Sequence, residues 1–275
     1  MPSTRRRLRP VIVVLSSAAL LYVAACALMW AVQDRMVFPG AGYGDRGVPD
    51  VRPPAVVGWL GQGESRTRIA TLSPQSPRAV ALYLGGNGED LHLAVGSAAQ
   101  LVSFGVEAIA CEYPGYGASP GRPSVEGLLA AAQRAAAHAR ERAQALGVPF
   151  VVVGSSLGSF GAMHVAATGA VDRLVLRAPP TTLAAVSAAS FPWLPVRLLL
   201  AHRFDNLGPA ATVRCPVVVL HGDRDRIVSD RFGRDLAAAL PQARFVSVPG
   251  RGHNDIDLSA NGPVATELRQ VFERP

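Results

Sequence analysis

The chain has 275 residues, 49% of them hydrophobic, and a formal net charge of +7. A cluster of N-terminal arginines supplies much of that charge, and elsewhere basic and acidic residues are nearly balanced and form no basic run. This composition argues against nucleic-acid binding, and the lack of metal-ligand spacings among His, Cys and Glu residues argues against a metal or another cofactor.

The first predicted element is an apolar segment, residues 11–32, which contains no charged residue. At about 1.5 Å of rise per residue, a helix of this length crosses a hydrocarbon core. Arginines precede the segment, so residues 1–35 are predicted to form a single-pass membrane anchor with the rest of the chain on the non-cytoplasmic side, periplasmic or extracellular in a bacterium. The alternative is a cleaved signal or a lipid-bearing Cys26. The apolar run continues past Cys26, which favours the uncleaved anchor. The arginines are Arg5, Arg6, Arg7 and Arg9.

Residues 36–275 alternate short apolar runs with helical segments and show no linker-like break. This pattern predicts one α/β domain with a mostly parallel sheet flanked by helices. The predicted strands are residues 67–72, 78–84, 107–111, 150–154, 173–176, 217–220 and 244–248. The predicted helices are residues 91–104, 125–146, 159–168, 230–240 and 263–272.

The strand at residues 150–154 runs into a Gly-Ser-Ser-Leu-Gly motif that ends at Gly158. A Gly-x-Ser-x-Gly at this place predicts a sharp turn from strand to helix with the Ser156 hydroxyl exposed at its apex. Gly154 and Gly158 lack the Cβ atoms that would collide at the bend. The free amides of the following helix suit an oxyanion. Alone, the motif predicts a nucleophile and a plain turn about equally.

An acid and a histidine follow the serine in the order that this turn requires. The segment after the strand at 217–220 carries Asp223 and Asp225. We assign Asp225 as the acid and Asp223 as a turn-capping residue. His253 lies in a glycine-rich loop after the last strand and is the predicted base. The remaining histidines, including His221, are interpreted as structural or solvated.

One apolar insertion, residues 179–208, separates two predicted strands and is predicted to form a small cap over the strand ends. Its larger apolar residues are candidates for the wall of an acyl pocket, or equally for packing the cap onto the domain. A cap this short predicts that esters of short neutral acyl chains are cleaved better than those of roughly twelve carbons or more. The candidate wall residues are Phe191, Trp193, Leu194 and Leu198.

Four sequence blocks resemble the α/β-hydrolase superfamily: residues 82–90 (LYLGGNGED), residues 112–124 (EYPGYGASPGRPS), the turn around Ser156, and the segments at Asp225 and His253. Within it, the chain resembles the membrane-anchored, bud-emergence-protein-like branch of serine hydrolases. The resemblance covers residues 51–274. It implies the α/β-hydrolase fold and cleavage of carboxylic esters or thioesters by a Ser-Asp-His triad through an acyl-enzyme.

The resemblance also implies an oxyanion hole, with one departure. Where the family usually has His-Gly-Asn after its third strand, this chain has Gly85-Gly86-Asn87. The backbone amides of Asn87 and Leu157 are the expected donors, because that role needs no side chain. The function of the missing histidine is left open.

Two alternatives remain at this point. An acyltransferase would use the same triad with an alcohol or amine in place of water. A non-enzymatic binding protein on a hydrolase fold would not use the triad. This alternative is disfavoured because all three triad positions are filled. The expected partners are a small-molecule ester and a membrane, with no nucleic acid.

Overall fold

An eight-stranded sheet forms the centre of the computed structural model, which describes residues 4–169 and 171–273. The side chains of residues 4–9, and so those of the predicted basic flank, lie outside the described part. In chain order the strands are β1 (Val56–Leu60), β2 (Thr67–Leu72), β3 (Ala79–Leu84), β4 (Val106–Cys111), β5 (Phe150–Ser155), β6 (Arg173–Arg177), β7 (Val217–Gly222) and β8 (Ala243–Val248).

The strands lie in the order β1-β2-β4-β3-β5-β6-β7-β8. Strand β2 is antiparallel to both of its neighbours, and every other pairing is parallel. Parallel strands need both faces covered, and every residue of β3, β4, β5 and β7 is buried.

The helices are α1 (Thr4–Val37), α2 (Leu91–Val102), α3 (Val125–Leu146), α4 (Gly158–Ala167), α5 (Leu183–Ser190), α6 (Val196–Leu199), α7 (Leu207–Ala210), α8 (Asp230–Ala239) and α9 (Ala265–Glu273). Helix α3 begins at Ser124, whose hydroxyl accepts a hydrogen bond from the Gly127 amide, and ends at Gly147 with a left-handed φ of 67°.

Two hydrophobic cores lie on opposite faces of the sheet. Along β3, Leu82 and Leu84 belong to one core, whereas Ala81 and Tyr83 belong to the other. Helices α3, α4 and α8 cover the first face, and α2 and α9 cover the second. This arrangement confirms the predicted α/β fold with a mostly parallel sheet between helices.

All seven predicted strands and all five predicted helices of the domain are present, with bounds shifted by two residues at most. Strand β1 was not predicted. It is a short apolar segment interrupted by Gly58, it lies at the edge of the sheet, and all five of its residues are at least partly exposed. The short helices of the cap region were not predicted either.

The N-terminal helix is a candidate membrane span by its length and composition over Pro10–Val37. Only 6% of its most apolar window is buried against the rest of the protein. At its C-terminal end the chain enters the domain, where Val37 and Phe38 join the first core. The helix and the domain are therefore in direct contact.

Candidate active site

The turn from strand to helix predicted around Ser156 is present between β5 and α4. Ser156 has a φ of 48°, a left-handed conformation that persists only where the surrounding structure holds it. Its amide donates to the Arg177 carbonyl at 2.8 Å. A Cβ at Gly154 would lie 2.6 Å from the Ala162 Cβ, and one at Gly158 would collide with the backbone at the end of β3. Close packing therefore requires both glycines.

Ser156, His253 and Asp225 form one continuous chain of hydrogen bonds. The Ser156 Oγ lies 2.9 Å from His253 Nε2, and His253 Nδ1 lies 2.6 Å from Asp225 Oδ2. The other carboxylate oxygen of Asp225 accepts from the amides of Ile227 and Val228 at 2.9 and 2.8 Å. The structure thus brings together the three residues that the sequence singled out, with the histidine between the hydroxyl and the carboxylate.

Asp225 lies in a fully buried but well-paired setting. Burial by itself raises the pKa of its carboxyl, but the hydrogen bonds from His221 and His253 outweigh burial and hold the pKa below its ordinary value. His221 Nε2 lies 2.8 Å from the Val228 carbonyl oxygen and 3.2 Å from Asp225 Oδ2. Gly233 packs so closely against this ring that a Cβ would collide with His221 Nδ1. His221 is therefore structural, as interpreted, and positions Asp225.

The other aspartate of this turn, Asp223, binds the loop that carries His253. Its carboxylate accepts a hydrogen bond from the Gly250 amide at 2.7 Å, three residues before His253. Among the described residues, no hydrogen bond joins Asp223 to His253 itself. Asp223 ties the two loops together without contacting the imidazole.

The loop after β3 faces the serine. A Cβ at Gly86 would lie 3.6 Å from the Ser156 Cβ, so the loop backbone passes close to the hydroxyl. The Asn87 carbonyl accepts from the Tyr116 hydroxyl at 2.8 Å. The Gly86 carbonyl, which shares a peptide group with the Asn87 amide, accepts from the Glu89 amide at 3.1 Å. Within the described part of the chain, the amides of Asn87 and Leu157 donate to no backbone carbonyl. Both are available to a ligand beside Ser156.

A cavity of about 730 Å³ opens above Ser156, a volume typical of small-molecule sites. Its floor contains Ser156, Leu157 and His253. Apolar residues from the cap and from the end of α1 form much of its wall: Leu183, Val186, Phe191, Met36 and Val37. The sequence analysis ended the anchor at residue 35 and did not assign Met36 or Val37, at the end of α1, to the site.

The structure brings only part of the predicted acyl wall to this cavity. Phe191 lines it, and Leu194 lines an adjoining cavity of about 70 Å³. Trp193 and Leu198 line neither cavity and are 53% and 85% exposed. Hydrophobicity alone marks a residue as apolar and does not tell which side of the cap it faces.

The chain has relatives among known proteins, although no family model matches it. The uncharacterized protein Rv2307c of Mycobacterium tuberculosis is 34% identical over 259 residues, which cover 92% of this chain and 91% of that protein. Human alpha/beta hydrolase domain-containing protein 17C is 27% identical over 192 residues, covering 67% of this chain and 56% of the human protein. The chain belongs to the α/β-hydrolase superfamily.

The solved structure of a soluble variant of Saccharomyces cerevisiae monoglyceride lipase shares this superfamily fold. It superposes with a TM-score of 0.65 at 14% sequence identity, covering 82% of this chain and 96% of the lipase. At this identity the likeness establishes the fold alone.

The departure from the α/β-hydrolase pattern at Gly85 has a physical explanation in a buried ion pair that the sequence analysis missed. Glu89 occupies the space beside Gly85, where a Cβ would lie 2.8 Å from Glu89 Oε2. Arg177 Nη2 lies 2.9 Å from Glu89 Oε1, and Arg177 Nε donates to the Ser155 hydroxyl at 2.9 Å. The Tyr83 hydroxyl donates to Glu89 at 2.8 Å.

This buried network joins the loop after β3 to the residue that precedes Ser156. Burial raises the pKa of the Tyr83 phenol, so its hydroxyl stays protonated and remains a donor. The Arg177 side chain is only 5% exposed, so its charge depends on Glu89 for compensation. The available sequence signal was Arg177, a charged residue that directly follows the apolar residues 174–176 of β6.

Proposed function

We propose that this protein is a serine hydrolase that cleaves carboxylic esters or thioesters. The observation that carries the proposal is the chain of hydrogen bonds from Ser156 through His253 to Asp225 at the floor of a largely apolar-walled cavity. Membership of the α/β-hydrolase superfamily supports a hydrolase.

Ser156 acts as the nucleophile, His253 as general base and acid, and Asp225 as the group that orients the imidazole. As the Ser156 oxygen attacks the acyl carbon, His253 Nε2 takes its proton, while Asp225 accepts from Nδ1–H and stabilises the imidazolium. His253 then protonates the leaving alcohol or thiol. Water attacks the acyl-enzyme with His253 again as base, and the acid and free Ser156 are released.

The amides of Asn87 and Leu157 are the proposed oxyanion donors. Each such donor lowers the barrier by about 3 kcal/mol when it is aligned before the reaction begins. The hydrogen bond from the Glu89 amide to the Gly86 carbonyl, which shares a peptide group with the Asn87 N–H, supports such alignment. The position of Leu157 at the start of α4 supports it as well. The acyl chain then lies against the apolar wall, with Phe191 as one of its contacts.

A fluorophosphonate probe tests this assignment. We expect the probe to label the wild-type protein, and Ser156→Ala to abolish both labelling and hydrolysis of p-nitrophenyl butyrate. Ser187→Ala is a matched control for labelling, since Ser187 lines the same cavity but has no hydrogen bond to His253. Labelling of a folded Ser156→Ala protein would contradict the assignment. A new ester formed with an added alcohol would identify an acyltransferase instead.

We propose further that α1 anchors the protein in a membrane with the domain on the non-cytoplasmic side. The length and low burial of this helix support the anchor. Protease added from the non-cytoplasmic side should digest the domain, and protection would invert the orientation. Cys26→Ser protein should stay with the membrane, because the helix itself is the proposed tether.

A further inference from the structure

Helix α1 and the cap are joined over a long stretch of the helix. Tyr22, near the middle of the apolar segment, and Gln33 and Asp34, just after it, all contact the cap. The hydrogen bonds run from the Tyr22 hydroxyl to the Trp193 carbonyl (2.9 Å), from Gln33 Nε2 to the Leu199 carbonyl (3.3 Å), from the Ala201 amide to Gln33 Oε1 (2.7 Å), and between His202 Nε2 and Asp34 Oδ1 (2.7 Å).

These contacts fix the depth of the cap relative to α1. Tyr22 precedes the end of the apolar segment by ten residues, about 15 Å along the helix axis. That distance is about half the thickness of a hydrocarbon core. Residues 192–199, which we call the cap apex, contact α1 at two levels, at Tyr22 through Trp193 and at Gln33 through Leu199. In a bilayer that α1 crosses, the cap apex therefore extends from the membrane surface, at Leu199, to about the middle of the bilayer, at Trp193.

The chemistry of the cap apex fits this depth. Trp193 and Leu198 are apolar and exposed, and so are most residues of α1 beside them. The Tyr22 hydroxyl and the Trp193 carbonyl satisfy each other, as polar groups within a bilayer must. Arg197 is the only charged residue of the cap apex, and its long side chain can extend toward the headgroups.

A second, mostly apolar cavity adjoins the main cavity on the side of α1. The smaller cavity, of about 70 Å³, lies between α1 and the cap and includes Met29, Leu194 and Leu199 in its lining. It shares lining residues with the main cavity: Met36, Val37, Ser187 and Phe191. We call this smaller cavity the α1–cap groove. It extends the main cavity toward the part of α1 that the membrane would surround.

We propose that the substrate is an amphiphilic acyl ester resident in the bilayer, whose acyl chain reaches Ser156 through the α1–cap groove. The proposal rests on the proposed function and specifies its substrate class. The expectation of a preference for short chains counted the cap as the only wall. Because α1 contributes Met36 and Val37 and the groove adjoins the membrane, long chains have both a wall and a route.

The position of the cap apex is tested by fluorescence quenching. Full-length protein carrying Cys26→Ser and Leu198→Cys is labelled with an environment-sensitive fluorophore and reconstituted into phosphatidylcholine vesicles with spin labels on the lipid chains. Cys111 and Cys215 are buried and escape labelling. Val56→Cys is the control, since Val56 is 71% exposed but lies on β1 at the opposite edge of the sheet from β8. Strong quenching at 198 and none at 56 is expected. Equal quenching overturns the placement of the cap apex.

The substrate class is tested by comparing two esters. A long-chain monoacylglycerol in vesicles and p-nitrophenyl butyrate in water are given to wild type, Leu198→Glu and Val56→Glu. A carboxylate in the cap apex opposes its insertion, so the ratio of vesicle to soluble turnover should fall by about tenfold or more in Leu198→Glu and stay unchanged in Val56→Glu. Equal ratios in the two variants overturn the proposal.

The two proposals fail in different ways. If the wild type hydrolyses neither ester and Ser156 is not labelled by the fluorophosphonate probe, the proposed function is wrong, whereas quenching still reports the depth of the cap apex. If the soluble ester is cleaved and the vesicle ester is not, the hydrolase assignment stands and the membrane-resident substrate is rejected.

Discussion

Ser156, Asp225 and His253 lie on loops that follow β5, β7 and β8, whereas the wall above them comes from α1 and the cap, which contribute no strand to the sheet. Parallel strands end at one edge of a sheet, so the topology itself brings the first set of residues together. The wall is held by apolar packing and a few hydrogen bonds between segments without a shared motif. Topology therefore determines the chemistry we propose, and packing determines access to the site.

The strongest test of this comparison removes the groups that the topology brings together. Ser156→Ala and His253→Ala should each lower kcat by at least about 10⁴-fold, and the double variant should be no worse than the more impaired single variant, because the groups act as a unit. Steady-state hydrolysis of p-nitrophenyl butyrate measures these losses. Multiplicative losses in the double variant would mean that the two residues act independently.

A second test separates the two aspartates of one turn. Asp225→Asn should lower kcat by about 10²- to 10⁴-fold, because the amide cannot stabilise the imidazolium. Asp223→Asn should lower it only slightly, because Asp223 holds the Gly250 amide and not His253. Hydrolysis rates of the two variants, with circular dichroism to verify folding, decide the matter. A larger loss in Asp223→Asn would identify that residue as the acid.

A third test concerns the buried ion pair of Glu89 and Arg177, which lies beside Gly85, the position where related hydrolases usually have a histidine. Glu89→Ala leaves Arg177 charged and buried without its partner, which should lower the free energy of unfolding by about 3–5 kcal/mol. Hydrolysis should also fall, since Glu89 and Arg177 connect the loop to Ser155. Chemical denaturation in detergent measures the stability. Glu89→Gln, which keeps a hydrogen-bond acceptor, should lose less, and an equal loss in both variants would indicate that the charge itself is what matters.

The smallest expected effects come from a matched pair of helical glycines. Gly233→Ala introduces a Cβ against His221, so it should displace the ring that holds Asp225 and lower kcat by about tenfold. Gly96→Ala in α2 meets no atom within 4 Å and should raise stability by up to about 1 kcal/mol without changing kcat. Thermal unfolding and ester hydrolysis of both proteins check the pair. Equal activities would show that His221 does not position Asp225.

The central strands, the turn at Ser156 and the order of serine, aspartate and histidine could be predicted from the sequence alone. These features depend on local patterns: an apolar run for a strand buried on both faces, glycines where a Cβ would collide, and polar residues just after strand ends. Strand β1 was not predicted because its apolar segment is only five residues long and is interrupted by Gly58.

The surroundings of the site could not be predicted, because they depend on contacts between residues that are far apart in the sequence. Glu89 and Arg177 are 88 residues apart, and no local sequence pattern predicts their contact. The apolar residues of α1 look alike in the sequence, although Met36 and Val37 line the cavity and Val13 and Val14 are exposed. The hydrophobicity of a side chain indicates only that the side chain is more stable away from water. Whether the side chain lies in a core, in a cavity wall or in a bilayer depends on which segments the fold places beside it.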